Sequence, residues 1–468
     1  MLLNTDEDLQ VTRTPIDNSI YVERVLANSQ NISQTLKLAK SAQLKWKKTT
    51  LNQRKKMCLA MVNAFIENSD EIALQLSYMM GRPIKYALSE VLGMAQRARH
   101  MINIAKDSLK TIKVSSNKNI TSYIKREPLG IVFVIAPWNY PYLTAINSII
   151  PAIMAGNTVI LKHSSQTPLC AEQFEKAFEQ ANFPKGVFQY LHLSHGNTEV
   201  IIKQNKVDYV SFTGSVAGGK AIENACNGHF MGLGLELGGK DPAYVCDDAD
   251  LKHAVETCID GAFFNSGQSC CGIERIYVAE QIFDEFVEQA TELVKQYKLG
   301  SPLDVDTTLG PMVNSKPADF VREQIHHAVI AGAKTHITSE DFPLDKEGSA
   351  YLAPQILTNV DHSMDIMTKE SFGPVVGIMK VRSDKQAIEL MNDSEFGLTA
   401  SVFTKDTDRA ITIGEQLEAG TFFMNRCDYL DPSLAWTGVK NSGRGCTLST
   451  LGYGVLTRPK SFHLKTKI

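Results

Sequence analysis

Between residues 131 and 214 short β-rich runs alternate with helical stretches, and this alternation restricts the fold more than anything else in the 468 residues. The runs are IVFVIA (131–136), TVILK (158–162), VFQYLHL (187–193) and VDYVSFTG (207–214). Between them, near 141–155, 167–181 and 197–204, lie helical segments such as TPLCAEQFEKAFEQA. Parallel strands need a crossover, usually a helix, so the pattern predicts a doubly wound parallel sheet. Such sheets take ligands at the carboxyl ends of their strands.

The pattern restarts after LGGKDPAYV (237–245), where DLKHAVETCIDGAFF, ERIYVAE, DEFVEQATELVKQYK and FGPVVGIMKV predict a second α/β unit of similar size. Residues 30–110 read as helices throughout. ITSYIKREPLG (120–130) and GVLTRPKSFHLK (454–465) read as strands with no hairpin partner beside them. They predict a small β arm that pairs between subunits, hence a homodimer or homotetramer.

A net charge of −3 gives no electrostatic reason to expect nucleic acid as a partner. The densest basic run, KWKKTTLNQRKK (45–56), reads as a solvated helix face. The longest apolar candidate, YLTAINSIIPAIMAG (142–156), falls short of the ~20 residues of a membrane span and is broken by Asn147 and Pro151. The acidic start MLLNTDEDLQ does not resemble a secretion signal, and nine cysteines without framework spacing suit a reducing compartment. A cytoplasmic protein that engages no membrane is expected.

The turn FTGSVAGGKAI follows a strand and opens a helix, a context that suits a phosphate. Gly214, Gly219 and Lys220 match a nucleotide triphosphatase loop, but Ala221 replaces the hydroxyl that would hold Mg²⁺. Val216 stands where a dinucleotide fingerprint needs its second glycine. A tight strand-to-helix connection explains the turn equally well.

The stretch FFNSGQSCCGIER (263–275) carries two adjacent cysteines. A structural zinc site needs four ligands, and no second pair lies nearby, so no metal is expected. Isolated cysteine pairs are most often buried and inert. Here an apolar run, an Asn-Ser-Gly turn and a glutamine place a thiol at the edge of structure, within reach of a substrate.

This stretch resembles the active-site signature of the aldehyde dehydrogenase superfamily, in which the second residue after Gly-Gln is the nucleophile. The resemblance makes Cys270 the nucleophile and Cys271 its neighbour. LELGGK (235–240) resembles the glutamate motif, with Glu236 as general base 34 residues upstream of Cys270. APWNYP (136–141) is similar to the motif whose asparagine, here Asn139, helps form an oxyanion hole. FTGSVAGG resembles the cofactor turn, KESFGPV (369–375) a glutamate and phenylalanine pair, and NSGRG (441–445) the late glycine motif. The likeness runs from about residue 30 to the end, with the motifs in family order.

The resemblance implies NAD or NADP bound by Trp138, Lys162, Ser165, Gly214, Ser215, Gly219, Glu370 and Phe372. It assigns 1–110 and 129–238 to a cofactor domain and 239–440 to a catalytic domain. Residues 111–128 and 446–468 become an oligomerisation arm. The implied reaction oxidises a small-molecule aldehyde through a cysteine thioester, and the residue types suit it. Sulfur is the best nucleophile near neutral pH, an amide can hold an oxyanion, and a carboxylate can activate water.

Three positions depart from common members. Ser165 replaces the glutamate that many NAD-preferring relatives use for the ribose, which bears on cofactor choice. Asn147 replaces a tryptophan, or the arginine of succinic semialdehyde enzymes, which bears on substrate. Thr447 replaces a late glutamate, which bears on local packing. The pocket mouth is expected to hold Tyr140, Asn147, Leu430 and Trp436, with Ser269 and Cys271 beside the nucleophile. These walls favour uncharged aliphatic or aromatic aldehydes. Succinic semialdehyde is the alternative if Arg426 pairs with its carboxylate. A P-loop ATPase is disfavoured by Ala221, and an inactive or a phosphorylating or CoA-acylating relative by the presence of Glu236.

Overall fold

The computed structural model describes residues 9–114, 119–338 and 340–466. Residues 1–8 of the expected cofactor domain, and 115–118 and 467–468 of the expected arm, lie outside them. No helix among the described residues is long and apolar enough to cross a membrane.

The repeating unit forms a six-stranded sheet ordered Gly443–Arg444, Gly232–Glu236, Tyr209–Thr213, Ile131–Ile135, Thr158–Lys162, Phe188–Tyr190. All neighbours pair in parallel except the Gly443–Arg444 edge, which runs antiparallel to Gly232–Glu236. Strand Ile131–Ile135 is buried on both faces, as a central parallel strand must be. Val132 and Val134 pack against helices Leu51–Glu67, Ile84–Ser108 and Pro141–Ala155; Ile131, Phe133 and Ile135 face helices Ser29–Trp46 and His195–Lys203.

The second sheet has seven strands, ordered Lys334–Thr335, Gln355–Thr358, Val375–Val381, Ile273–Ala279, Asp241–Val245, Thr399–Phe403, Thr421–Met424. Only the Lys334–Thr335 edge is antiparallel. The chain is therefore α/β with two parallel-sheet units.

Four details differ from expectation. The two lone strands pair with each other within the chain, Thr457–Lys465 against Ile120–Pro128 over nine residue pairs, with Ile112–Lys113 as a third strand. A partner more than 300 residues away in sequence leaves no local signal. The late glycine motif forms the sheet edge beside Glu236. An N-terminal hairpin, Leu9–Arg13 with Ile20–Val25, precedes the first helix. The basic run 45–56 is broken, because Thr50 caps a new helix at Leu51 in a reciprocal box with Gln53.

Candidate active site

A cavity of 760 Å³ opens at the carboxyl ends of the first sheet, and Asn139, Lys162, Gly214, Ser215, Glu236, Cys270, Glu370 and Phe372 all line it. The turn before the cysteines leads the chain to Cys270 on the cavity wall. Asn265, Ser266 and Gly267 take φ of 55°, 57° and 68°, three successive residues in the left-handed region. At Gly267 a Cβ would lie 2.2 Å from the Gly373 carbonyl oxygen, so only glycine fits against the segment that carries Phe372.

The two thiols differ in environment. Cys270 is partly exposed on the cavity wall. Cys271 is buried and its thiol donates to Asp428 Oδ1 at 2.9 Å. The contact with Cys270, burial and Asp428 raise the Cys271 pKa well above the ordinary thiol value, so Cys271 stays protonated at neutral pH. Burial in turn pushes the Asp428 carboxyl up to about 6. The Ser269 hydroxyl donates to the same carboxylate oxygen at 3.3 Å.

Asn139 donates one N–H to the Gln268 carbonyl at 3.1 Å, which leaves its second N–H free for a ligand. It is anchored by Arg82, a residue with no sequence signal of its own. The Arg82 guanidinium donates to the Asn139 carbonyl at 2.9 Å, to Asn265 Oδ1 at 3.3 Å and to Glu90. Glu90 also accepts from the Tyr142 and Leu143 amides, at 3.0 Å each, at the start of helix Pro141–Ala155.

Glu236 ends strand Gly232–Glu236, one of its oxygens held by Thr213 at 3.2 Å and the other by Thr447 at 2.5 Å. Burial raises its pKa, and the two hydroxyls and Arg97 oppose the rise. Thr447 thus does more than the local packing expected of it.

The cofactor-side residues divide. Lys162 is buried with no acidic partner among the described residues, and desolvation alone pulls its pKa down to about 8. An ammonium with no acidic partner among the described residues, at a cavity wall, suits the hydroxyls or phosphate of a dinucleotide. Ser215 caps helix Val216–Cys226 through the Gly218 amide. Trp138 meets Phe372 edge-on at 5.7 Å. Glu370 accepts from the Gly239 amide at 3.0 Å, and burial followed by Glu274 pushes its pKa up to about 7.

Two expected cofactor residues are not on the wall. Ser165 is exposed, its carbonyl held by Thr12 of the N-terminal hairpin at 2.7 Å, and Ser164 lines the cavity instead. Gly219 backs onto Leu237, whose side chain would lie 2.6 Å from a Cβ there, and its neighbour Gly218 lines the cavity.

None of the seven expected substrate residues lines this cavity. Cys271 and Trp436 are buried in one apolar cluster against which Leu430 packs. Among the described residues, neither end of the buried Asn147 amide is hydrogen-bonded, and the buried Tyr140 hydroxyl has no partner either. Arg426 is exposed and stacks on the Tyr429 ring at 3.5 Å, because the chain turns outward before Asp428 turns in. The arginine with an electrostatic influence on Glu236, Cys271 and Asp428 is Arg97, whose guanidinium donates to the Leu143 carbonyl at 2.9 Å.

The Aldehyde dehydrogenase family model matches residues 4–462. The succinate semialdehyde dehydrogenase (NAD(P)+) Sad of Escherichia coli strain K12 is 32% identical over 91% of each chain. The succinate-semialdehyde dehydrogenase (NADP+) of Mycobacterium avium strain 104 is 33% identical, covering 88% of this chain and 87% of that one. The NADP-dependent glyceraldehyde-3-phosphate dehydrogenase of Bacillus halodurans C-125, solved with NADP, superposes with a TM-score of 0.92 at 31% identity, covering 98% and 96% of the two chains. The chain is an NAD(P)-dependent oxidoreductase, and it belongs to the aldehyde dehydrogenase family.

Proposed function

We propose that the protein oxidises an aldehyde to its acid through a covalent intermediate on Cys270, with Glu236 as the base that releases it. The single observation that carries this reading is the split between the thiols: Cys270 on the cavity wall, Cys271 buried and bonded to Asp428.

The Cys270 sulfur adds to the aldehyde carbonyl, and the oxyanion that forms is held by the second Asn139 N–H and the Cys270 backbone N–H. One such donor is typically worth about 3 kcal/mol. The hydride of the tetrahedral carbon would have its acceptor in bound NAD(P). Lys162, Ser164, Ser215 and Gly218 would hold its phosphate and ribose groups, and Trp138, Glu370 and Phe372 would border its reactive end. The Cys270 thioester that remains is hydrolysed by water, from which Glu236 takes a proton. Burial suits Glu236 to that role, since a carboxylate with a raised pKa is the stronger base.

For the substrate we infer an uncharged aliphatic or aromatic aldehyde, supported by the outward stacking of Arg426, which keeps that cation off the cavity wall. A second reading, an aldehyde with an acidic tail, is favoured by the two semialdehyde relatives and by Arg97 rather than Arg426. Specificity constants for hexanal, benzaldehyde and succinic semialdehyde decide between them. A preference for the semialdehyde that disappears in Arg97→Met selects the second. For the nucleophile, Cys270→Ala should abolish activity and Cys271→Ala keep most of it; the reverse outcome overturns the assignment.

A further inference from the structure

We propose that Thr447 is a positioning residue for thioester hydrolysis, holding the Glu236 carboxylate between its own hydroxyl and that of Thr213. The inference rests on Glu236 being the base. Each carboxylate oxygen takes one hydroxyl, Oε1 from Thr447 at 2.5 Å and Oε2 from Thr213 at 3.2 Å. The two hydroxyls come from opposite sides, Thr213 from the neighbouring parallel strand and Thr447 from the segment beyond the antiparallel edge Gly443–Arg444.

Thr447 is itself held firmly. Its amide donates to the Trp436 carbonyl and its carbonyl accepts from the Trp436 amide, both at 2.9 Å. Trp436 is 5% exposed and packed in the cluster that contains Cys271. The hydroxyl is therefore presented from a fixed backbone, and Thr447 links an apolar wall to the base through one residue. A hydroxyl that donates to a carboxylate favours the ionised form, the form that can take a proton from water. The other groups that act on Glu236 are Arg97 from helix Ile84–Ser108, which lowers its pKa, and Tyr209 and Cys446, each of which has its own ionisation opposed by Glu236.

The test is the pH profile of deacylation in a quench-flow experiment with hexanal and saturating NAD(P). Thr447→Val keeps the shape and removes the hydroxyl. Its acid limb should move up by about one pH unit, with hydrolysis about tenfold slower below the limb. The burst of reduced cofactor and the KM for hexanal should stay as in the wild type. Thr447→Ser, which keeps the hydroxyl, should restore the wild-type limb, a rescue that a purely structural role would not produce. An unmoved limb in Thr447→Val overturns the proposal. Should that variant not fold, Thr213→Val removes the other hydroxyl and is read by the same criterion. Glu236→Gln is run in parallel: a burst followed by a stall supports the underlying assignment, and loss of the burst overturns that assignment and with it this inference.

Discussion

Arg82→Met tests whether the oxyanion asparagine and the nucleophile turn are held by one buried ion pair. Arg82 and Glu90 are 2% and 0% exposed, and Arg82 also donates to the Asn139 carbonyl and Asn265 Oδ1. Methionine fills most of the volume but leaves Glu90 as a buried charge without its ion-pair partner, with only the electrostatic influence of Arg97 remaining. Removing one partner of a buried pair costs about 3–5 kcal/mol. Glu90 keeps the Tyr142 and Leu143 amides, which puts the expected loss near the lower end, about 3 kcal/mol. The double variant Arg82→Met/Glu90→Gln removes the stranded charge and lets the new amide oxygen accept from the same two N–H groups, so about half the stability should return. Activity should not return with it, because Asn139 and Asn265 still lack the hydrogen bonds from Arg82. A displacement of roughly 1 Å at such a site costs up to about 100-fold in rate. Urea unfolding and kcat/KM for hexanal are measured on all three proteins. A single variant that loses less than about 1 kcal/mol, or a double variant that regains stability and activity together, refutes the reasoning.

The Asp428 carboxyl, raised by burial from 3.8 to about 6, gives a pH-dependent prediction. Its ionised form is the disfavoured one when folded, so its contribution to stability is full below 3.8 and is lost as pH rises through about 6. Asp428→Asn should therefore raise the unfolding midpoint at pH 8 by the equivalent of about 2 kcal/mol, discounted for partial exposure, and give no gain at pH 4; equal effects at both pH values would contradict this. Lys162, lowered by desolvation to about 8, loses its charge as pH rises through that value. The KM for NADP should then climb more steeply than that for NAD between pH 7 and 9, and parallel profiles would remove Lys162 from the phosphate site.

The α/β alternation between 131 and 214 was legible because Ile131–Ile135 and Thr158–Lys162 are apolar on both faces and a helix follows each strand before the next begins. The β arm was half legible: strandness shows in ITSYIKREPLG, but its partner lies at the far end of the chain. Cys270, Glu236 and Asn139 share one cavity wall, as their motifs imply. The differences from expectation were of one or two positions. Ser164 lines the cavity in place of Ser165, and Gly218 in place of Gly219, because a strand-to-helix turn decides which neighbour faces inward. Arg426 drew attention as a charge beside a motif, whereas the inward charge is Asp428, two residues on, since Asp428 takes φ of 44° and reverses the local direction. Arg82 and Thr447 were illegible as site residues, because what they do depends on contacts made across 57 and 211 residues of sequence.

The most direct measurement of the central claim is the site of acylation. Glu236→Gln is mixed with hexanal and NAD(P), quenched in acid and digested, and the peptide that spans residues 265–275 is sequenced by tandem mass spectrometry. A hexanoyl group on Cys270, formed in step with the burst of reduced cofactor, is the expected result. Reduced cofactor formed without any acyl-cysteine, or a hexanoyl group on Cys271, would contradict it.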